Sequence, residues 1–252
     1  HVFPVKAIAR LAKQAGITVR MGTTNRLYHW TTCNHLVRLS RRKSDLHEAQ
    51  LNLKLIASIT GKKQFTLDSI PQYYGFREPE FPDGRLEGIF DTDRFNLIIH
   101  PKSKGSAREW GLDNFKALIK LLPQSQFRVF VTGTGDEGKL IEASSLFTEN
   151  PHVVNLCGQL SLKELLGVIY KADGLLAAST GPLHLAAAFG IQAIGIYPPI
   201  RPMHPGRWAP LGAKATYLVQ DKTCNDCRKS QDCNCIRDIS PESVLEHLTK
   251  IV

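Results

Sequence analysis

Residues 177–190 read AASTGPLHLAAAFG. An apolar run ends in the turn Ser179-Thr180-Gly181-Pro182, and a small-residue helix follows with His184 in its first turn. Pro182 suits the first helical position, Thr180 is placed to cap the helix, and Gly181 lets a ligand approach the backbone closely. The unpaired N–H groups and the positive dipole end of such a helix form an anion site. Taken alone, the same residues also read as an ordinary helix start with a structural histidine. Other polar loops in the chain favour the phosphate socket.

The stretch HPKSKGSAREW (100–110) groups Lys102, Lys104 and Arg108 with Ser103 and Ser106 around Gly105. Cations and hydroxyls on such a loop wrap phosphate oxygens, and arginine does so bidentately. The alternative is an exposed basic loop, although Trp110 is expected to anchor this one in the core. A third stretch, TGTGDEG (132–138), spells GxGxxG through Gly133, Gly135 and Gly138. As a dinucleotide fingerprint it is out of place. Its strand is second in its domain, and the next strand, HVVNLCG, ends without the Asp or Glu that would hold a ribose. A different nucleotide contact, or a plain glycine turn, fits better. These loops are expected to converge on one pocket that holds a pyrophosphate.

CNDCRKSQDCNC places Cys224, Cys227, Cys233 and Cys235 as CxxC, five residues, then CxC. Four thiolates can close a tetrahedral zinc site, and a structural zinc is the first reading. The gap between the pairs is shorter than in common zinc ribbons, so disulfides and metal-free thiols stay open.

For the loops to act together they must lie at the carboxyl ends of parallel strands. Strands are predicted over 95–100, 127–133, 152–158, 173–179 and 193–199, and helices over 114–122, 137–147, 161–172 and 182–190. This alternation predicts an α/β fold with a parallel sheet covered on both faces. Upstream, 5–17 and 47–60 have helical spacing and 18–22 reads as a short strand; 241–252 is a final amphipathic helix. Residues 61–88 hold three prolines and weak periodicity. That stretch predicts a boundary, with one domain over 1–87 and a second over 88–252.

Composition is that of a globular protein, 42% hydrophobic and 22% charged, without the eighteen-residue apolar run of a membrane-spanning helix. Net charge is +9, and the first fifty residues supply +7 of it from nine Lys and Arg against two Asp and Glu. The dense RLSRRK (38–43) suits an acidic partner, or else a solvated face. The chain opens on His1 with no secretory pattern, as expected of a fragment numbered from an internal start. Cys33 and Cys157 read as reduced thiols, and a cytoplasmic location is expected.

ASTGPLHLAAAFGIQAIGIYPP resembles the signature of glycosyltransferase family 9, the lipopolysaccharide heptosyltransferases. IIHPKSKGSAREWGLDNFKALIKLL resembles that family's other donor-domain signature, and the likeness extends through AIARLAKQAGITVRMGTTNR. The resemblance implies two Rossmann-like domains of the GT-B type, the amino-terminal one incomplete here. It also implies an inverting transfer that needs no metal cofactor and a nucleotide-activated sugar donor, often ADP-heptose. The family's phosphate loop falls on Lys102, Ser103, Lys104 and Arg108, the last where a lysine is often found; its donor turn falls on Thr180, Gly181 and His184. Ser179 stands where members usually carry an acid that helps hold the donor. The family's aspartate general base is expected upstream of residue 1. Members often carry cysteines near 224–235, which leaves their role open.

The resulting expectation is a sugar transferase of lipopolysaccharide core assembly. Its acceptor would be an acidic glycolipid, met at the inner face of the membrane through the basic segment. Arg108 and the Thr180–Gly181 turn would stabilise the leaving diphosphate. The alternative is a nucleotide- or nucleic-acid-binding α/β protein with a zinc knob; the sequence lacks the interleaved aromatics of a nucleic-acid surface, so no nucleic acid is expected. A dehydrogenase is the third reading.

Overall fold

The computed structural model describes residues 4–41, 44–61, 64–79, 86, 88–224, 227, 230 and 232–251. The chain forms two compact units, His1–Ile70 and Pro71–Val252. The division falls inside the stretch 61–88 but earlier than 87/88. Residues just after Ile70 already belong to the second unit: the Tyr74 hydroxyl donates to the Leu211 carbonyl at 3.1 Å, and the Phe76 ring meets Phe189 edge-on.

In the first unit two short parallel strands, β1 (Met21–Thr23) and β2 (His35–Val37), pair in register Met21↔His35. Helices Lys6–Gln14, Leu27–Thr32 and Glu48–Thr60 accompany them. Leu39, Leu51 and Leu55 form the small core. Gly22 is required by close packing, because a Cβ there would lie 2.7 Å from both the His29 ring and the Cys33 sulfur. Part of the basic stretch serves this unit's own structure. Arg20 donates to the Thr32 carbonyl at 2.8 Å, Lys13 to the Thr31 carbonyl at 2.8 Å, and Arg41 pairs with Glu48 at 2.6 Å. Within RLSRRK, Arg42 and Lys43 lie outside the described residues.

The second unit is built on a six-stranded, wholly parallel sheet. Its strands are β3 (Phe95–His100), β4 (Phe127–Val131), β5 (Val154–Asn155), β6 (Gly174–Ala178), β7 (Gln192–Tyr197) and β8 (Ala215–Val219). The spatial order is β5-β4-β3-β6-β7-β8. Side chains of a strand alternate between faces, and the two cores show it. Leu97 and Ile99 of β3 join Val129 and Val131 of β4 on one face, under helices Leu112–Leu121 and Pro241–Thr249. Ile98 and Phe130 join Leu175 and Ala177 on the other, under helices Leu162–Lys171 and Gly181–Phe189. Such doubly covered strands read as nearly continuous apolar runs.

Three sequence expectations change. The helix expected over 137–147 is two, Gly135–Ala143 and Leu146–Glu149, because Ser145 takes a left-handed φ of 63° and breaks the hydrogen-bond ladder. The strand expected over 152–158 pairs only at Val154–Asn155. A sixth strand, β8, was not expected; it lies at the sheet edge, where its half-exposed residues give a weak apolar signal.

Candidate donor site

The strand order reverses direction at β3 and β6. Chain leaves β3 toward β4 on one side and β6 toward β7 on the other, so a crevice opens above their carboxyl ends. The opposite ends are tied together. Asp173 accepts from the Asn96 backbone N–H at 2.7 Å and from its side-chain amide at 2.9 Å, which fixes β3 against β6.

The loop that leaves β3 is rigidly folded. Lys104 and Gly105 take left-handed φ values of 49° and 79°, and the Ser106 N–H closes the turn onto the Ser103 carbonyl at 2.9 Å. Glu109 braces the loop by accepting from the Ser103 N–H and hydroxyl and pairing with Lys102. Trp110 is 0% exposed, its indole N–H donates to the Ile239 carbonyl at 2.8 Å, and its ring meets Phe115 edge-on. Between these anchors Arg108 is 6% exposed and donates from Nη2 to the Cys227 carbonyl at 2.8 Å.

The turn that leaves β6 enters helix Gly181–Phe189 with Pro182 at its start. Thr180 has the extended backbone of a cap residue, but its side chain makes no capping bond. Its hydroxyl oxygen is buried in a residue 5% exposed and has no hydrogen-bond partner among the described residues. Ser161, by contrast, caps its helix with a side-chain bond.

The two loops meet. Arg108, with Ser106 and Ala107, faces Ser179, Thr180, Gly181 and His184 across a cavity of about 420 Å³. The segment after β7 adds Pro198, Pro202, Met203 and Trp208. None of these described lining residues is a carboxylate, so the positive field of Arg108 and the helix start is unopposed at the wall. Pro182 shapes the turn without lining the cavity.

The remaining expected residues lie elsewhere. Lys102 and Lys104 line a second cavity of about 510 Å³ with Gly105, Glu109 and Thr134–Glu137. The Ser103 hydroxyl turns inward to the Ala107 carbonyl at 3.0 Å. The expectation that all three loops share one pocket is therefore corrected. The left-handed turn at Lys104–Gly105 sends the first part of the β3 loop to one side and Arg108 to the other. TGTGDEG belongs to the second cavity as a capped helix start, with Thr134 and Glu137 bonded reciprocally.

Cys227, Cys233 and Cys235 are buried in the larger apolar core, and Cys224 packs against it. Burial pushes the Cys233 thiol up to about 12. Among the described residues no disulfide forms, and no group of three or more His, Cys, Asp or Glu is arranged to hold a metal. What the structure adds is a role for the loop's backbone, since Cys227 holds Arg108. Sequence reasoning also missed Met203 and Trp208, which carry no motif, and gave no role to Tyr197 within the signature-like stretch.

Beside the site, His100 ends β3 and shares a 2.9 Å hydrogen bond with the Thr132 hydroxyl. Burial lowers its pKa from the usual 6.5, against a smaller upward pull from Glu137. The unfolded chain therefore takes this proton more readily than the folded one. Stability is full above about pH 6.5 and falls as the pH drops toward the lower folded value. Burial lowers His29 and His247 in the same direction. The melting temperature is thus expected to hold between pH 7 and 8 and fall below about pH 6.5. His100→Gln should flatten that fall; a melting temperature that rises on acidification contradicts the assignment.

Comparison with known proteins agrees with this architecture. The profile of glycosyltransferase family 9 (heptosyltransferase) matches residues 7–236. The chain is 29% identical over 211 residues to a Haemophilus influenzae protein described only as a glycosyltransferase, covering 80% of this chain and 60% of that one. It is 26% identical over 155 residues to lipooligosaccharide heptosyltransferase 2 of Campylobacter jejuni, covering 59% and 48%. The chain thus spans about half to three-fifths of these relatives' length. Its fold matches the structure of E. coli ADP-heptose lipopolysaccharide heptosyltransferase II with a TM-score of 0.72 at 20% identity, over 98% of this chain and 73% of that one. With a family profile matched along nearly its whole length and a parallel sheet that opens on a cationic crevice, the chain belongs to glycosyltransferase family 9, the heptosyltransferase family.

Proposed function

We propose that this protein transfers a sugar from a nucleoside-diphosphate donor of the ADP-heptose kind to an acidic glycolipid of the lipopolysaccharide core. The cavity between Arg108 and the Thr180–Gly181 turn would hold the donor's diphosphate. The observation that carries this reading is the buried, unpartnered Thr180 hydroxyl beside the start of a helix, opposite an arginine. A buried polar atom without a partner is costly, and a phosphate oxygen supplies one. Gly181 supports it: among the described residues, its chain neighbours and own helix backbone aside, no atom lies within 4 Å of where its Cβ would sit, so internal packing does not demand glycine there.

The chemistry follows from charge. As the bond from the sugar's anomeric carbon to the diphosphate breaks, negative charge gathers on the leaving oxygens. Arg108 and the helix N–H groups are fixed where that charge develops, so they stabilise the transition state without reorganising. A fixed cation and a helix start supply the neutralisation that a divalent metal otherwise gives, which supports a metal-independent reaction. Attack by the acceptor hydroxyl from the opposite face gives inversion, with a carboxylate to take the proton. The basic first fifty residues support an acidic acceptor and contact with an anionic membrane surface from the cytoplasmic side. No helix among the described residues is long and apolar enough to cross a membrane.

Calorimetric titration tests the reading. ADP is expected to bind with 1:1 stoichiometry, and ADP-heptose more tightly. NAD and oligonucleotides are expected not to compete. Salt-sensitive oligonucleotide binding with no response to ADP contradicts the proposal and favours a nucleic-acid role.

A further inference from the structure

The cavity has two unlike halves. Arg108, Thr180, Gly181 and His184 form a polar, cationic half, and Pro198, Pro202, Met203 and Trp208 an apolar one. Trp208, 36% exposed, presents part of its ring surface at this cavity. Its ring is held in place: the Arg207 guanidinium lies over it, 5.9 Å from the ring centre. Its backbone is held as well. Tyr197, 0% exposed at the end of β7, donates its hydroxyl to the Trp208 carbonyl. The same hydroxyl meets the Ser179 side chain. One buried phenol thus links the β6 turn to the apolar wall.

We infer that this wall is the subsite for the donor's sugar ring, with the Trp208 indole as its stacking face and Tyr197 as a positioning residue. The inference rests on the diphosphate reading of the polar half. A sugar joined to the diphosphate by one ester oxygen must lie in the same cavity, one bond away from the phosphate. A pyranose carries weakly positive C–H groups on one face, which suit the electron-rich face of an indole. At Ser179 the chain has a hydroxyl directed to Tyr197. No carboxylate is among the described lining residues, so recognition of the sugar here relies more on apolar contact and less on a charged hydrogen bond. The ligand class is a pyranosyl diphosphate presenting an unhindered C–H face.

The test compares ADP with ADP-heptose by titration, so the sugar's share of the affinity is measured separately. Trp208→Ala is expected to leave ADP affinity within about twofold and to weaken ADP-heptose about tenfold, bringing the two ligands together. Trp208→Phe should restore most of the difference, which a merely structural role would not show. Tyr197→Phe keeps the buried ring and removes the hydroxyl, and is expected to weaken ADP-heptose about threefold with ADP unchanged. Equal weakening of both ligands by Trp208→Ala, or no change in either, overturns the subsite, as does wild-type protein that binds ADP-heptose no more tightly than ADP. If the free acceptor sugar, and not ADP-heptose, loses affinity in Trp208→Ala, the wall serves the acceptor and the inference fails. Failure of wild-type protein to bind ADP at all removes the diphosphate reading itself, and this one with it.

Discussion

Arg108→Ala is expected to lower transfer activity by about a hundredfold or more, and to weaken ADP binding by about ten- to a hundredfold. The guanidinium is 6% exposed, faces Thr180 and Gly181 across the cavity, and is aimed by its bond to the Cys227 carbonyl. Hydrogen bonds from a charged group to phosphate gain strength where water is excluded, and no carboxylate among the described lining residues offsets this charge. Arg108→Lys keeps the charge but not the fork. It should retain much of the ADP affinity, with a loss below about tenfold. ADP affinity in Arg108→Ala equal to that of the wild type, in a variant that melts normally, would sink the assignment of the polar half. Lys102→Ala should do much less, because Lys102 faces the second cavity and is already paired with Glu109.

The second large effect is on stability. Trp110→Ala removes a fully buried indole from the main core and leaves the Ile239 carbonyl without its donor. Truncation of a buried tryptophan costs about 3–5 kcal/mol, which for a chain of this size lowers the melting temperature by roughly 10 °C or more. Trp110→Phe refills much of the volume but not the hydrogen bond, and should cost less than half as much. Because Trp110 also ends the loop that carries Arg108, the alanine variant should bind ADP more weakly even at temperatures where it stays folded. A Trp110→Ala protein that melts within about 2 °C of the wild type would show that the loop is anchored elsewhere.

The proposed donor site is thus tied to distant packing. Arg108 reports the state of the cysteine loop through Cys227, and Ser179 reports the state of β7 through Tyr197. The far partners, Cys227 and Tyr197, do not line the cavity themselves.

Much of this was legible from local sequence. Nearly continuous apolar runs such as FNLIIH and GLLAA, separated by amphipathic stretches, point to buried parallel strands, because a sheet covered on both faces hides such runs. Ser161 suits a helix start by residue type, and the structure adds Glu164 to complete a capping box there. The Thr180-Gly181-Pro182 helix start was equally readable, since it depends on residues close in the chain; that Trp110 is buried followed from its type, but its partner, the Ile239 carbonyl, lies far along the chain. Tertiary structure decided the rest. Whether Lys102 and Arg108, six positions apart, share a cavity depends on two left-handed residues between them, which send them to different sides. That Ser103 turns inward while Thr180 stays unpartnered depends on what lies opposite each. The apolar wall at Trp208 and its tether at Tyr197 exist only because β7 lies beside β6 in the sheet. Local periodicity sets which elements form; strand order, which arises only when the whole sheet closes, sets which of their ends meet.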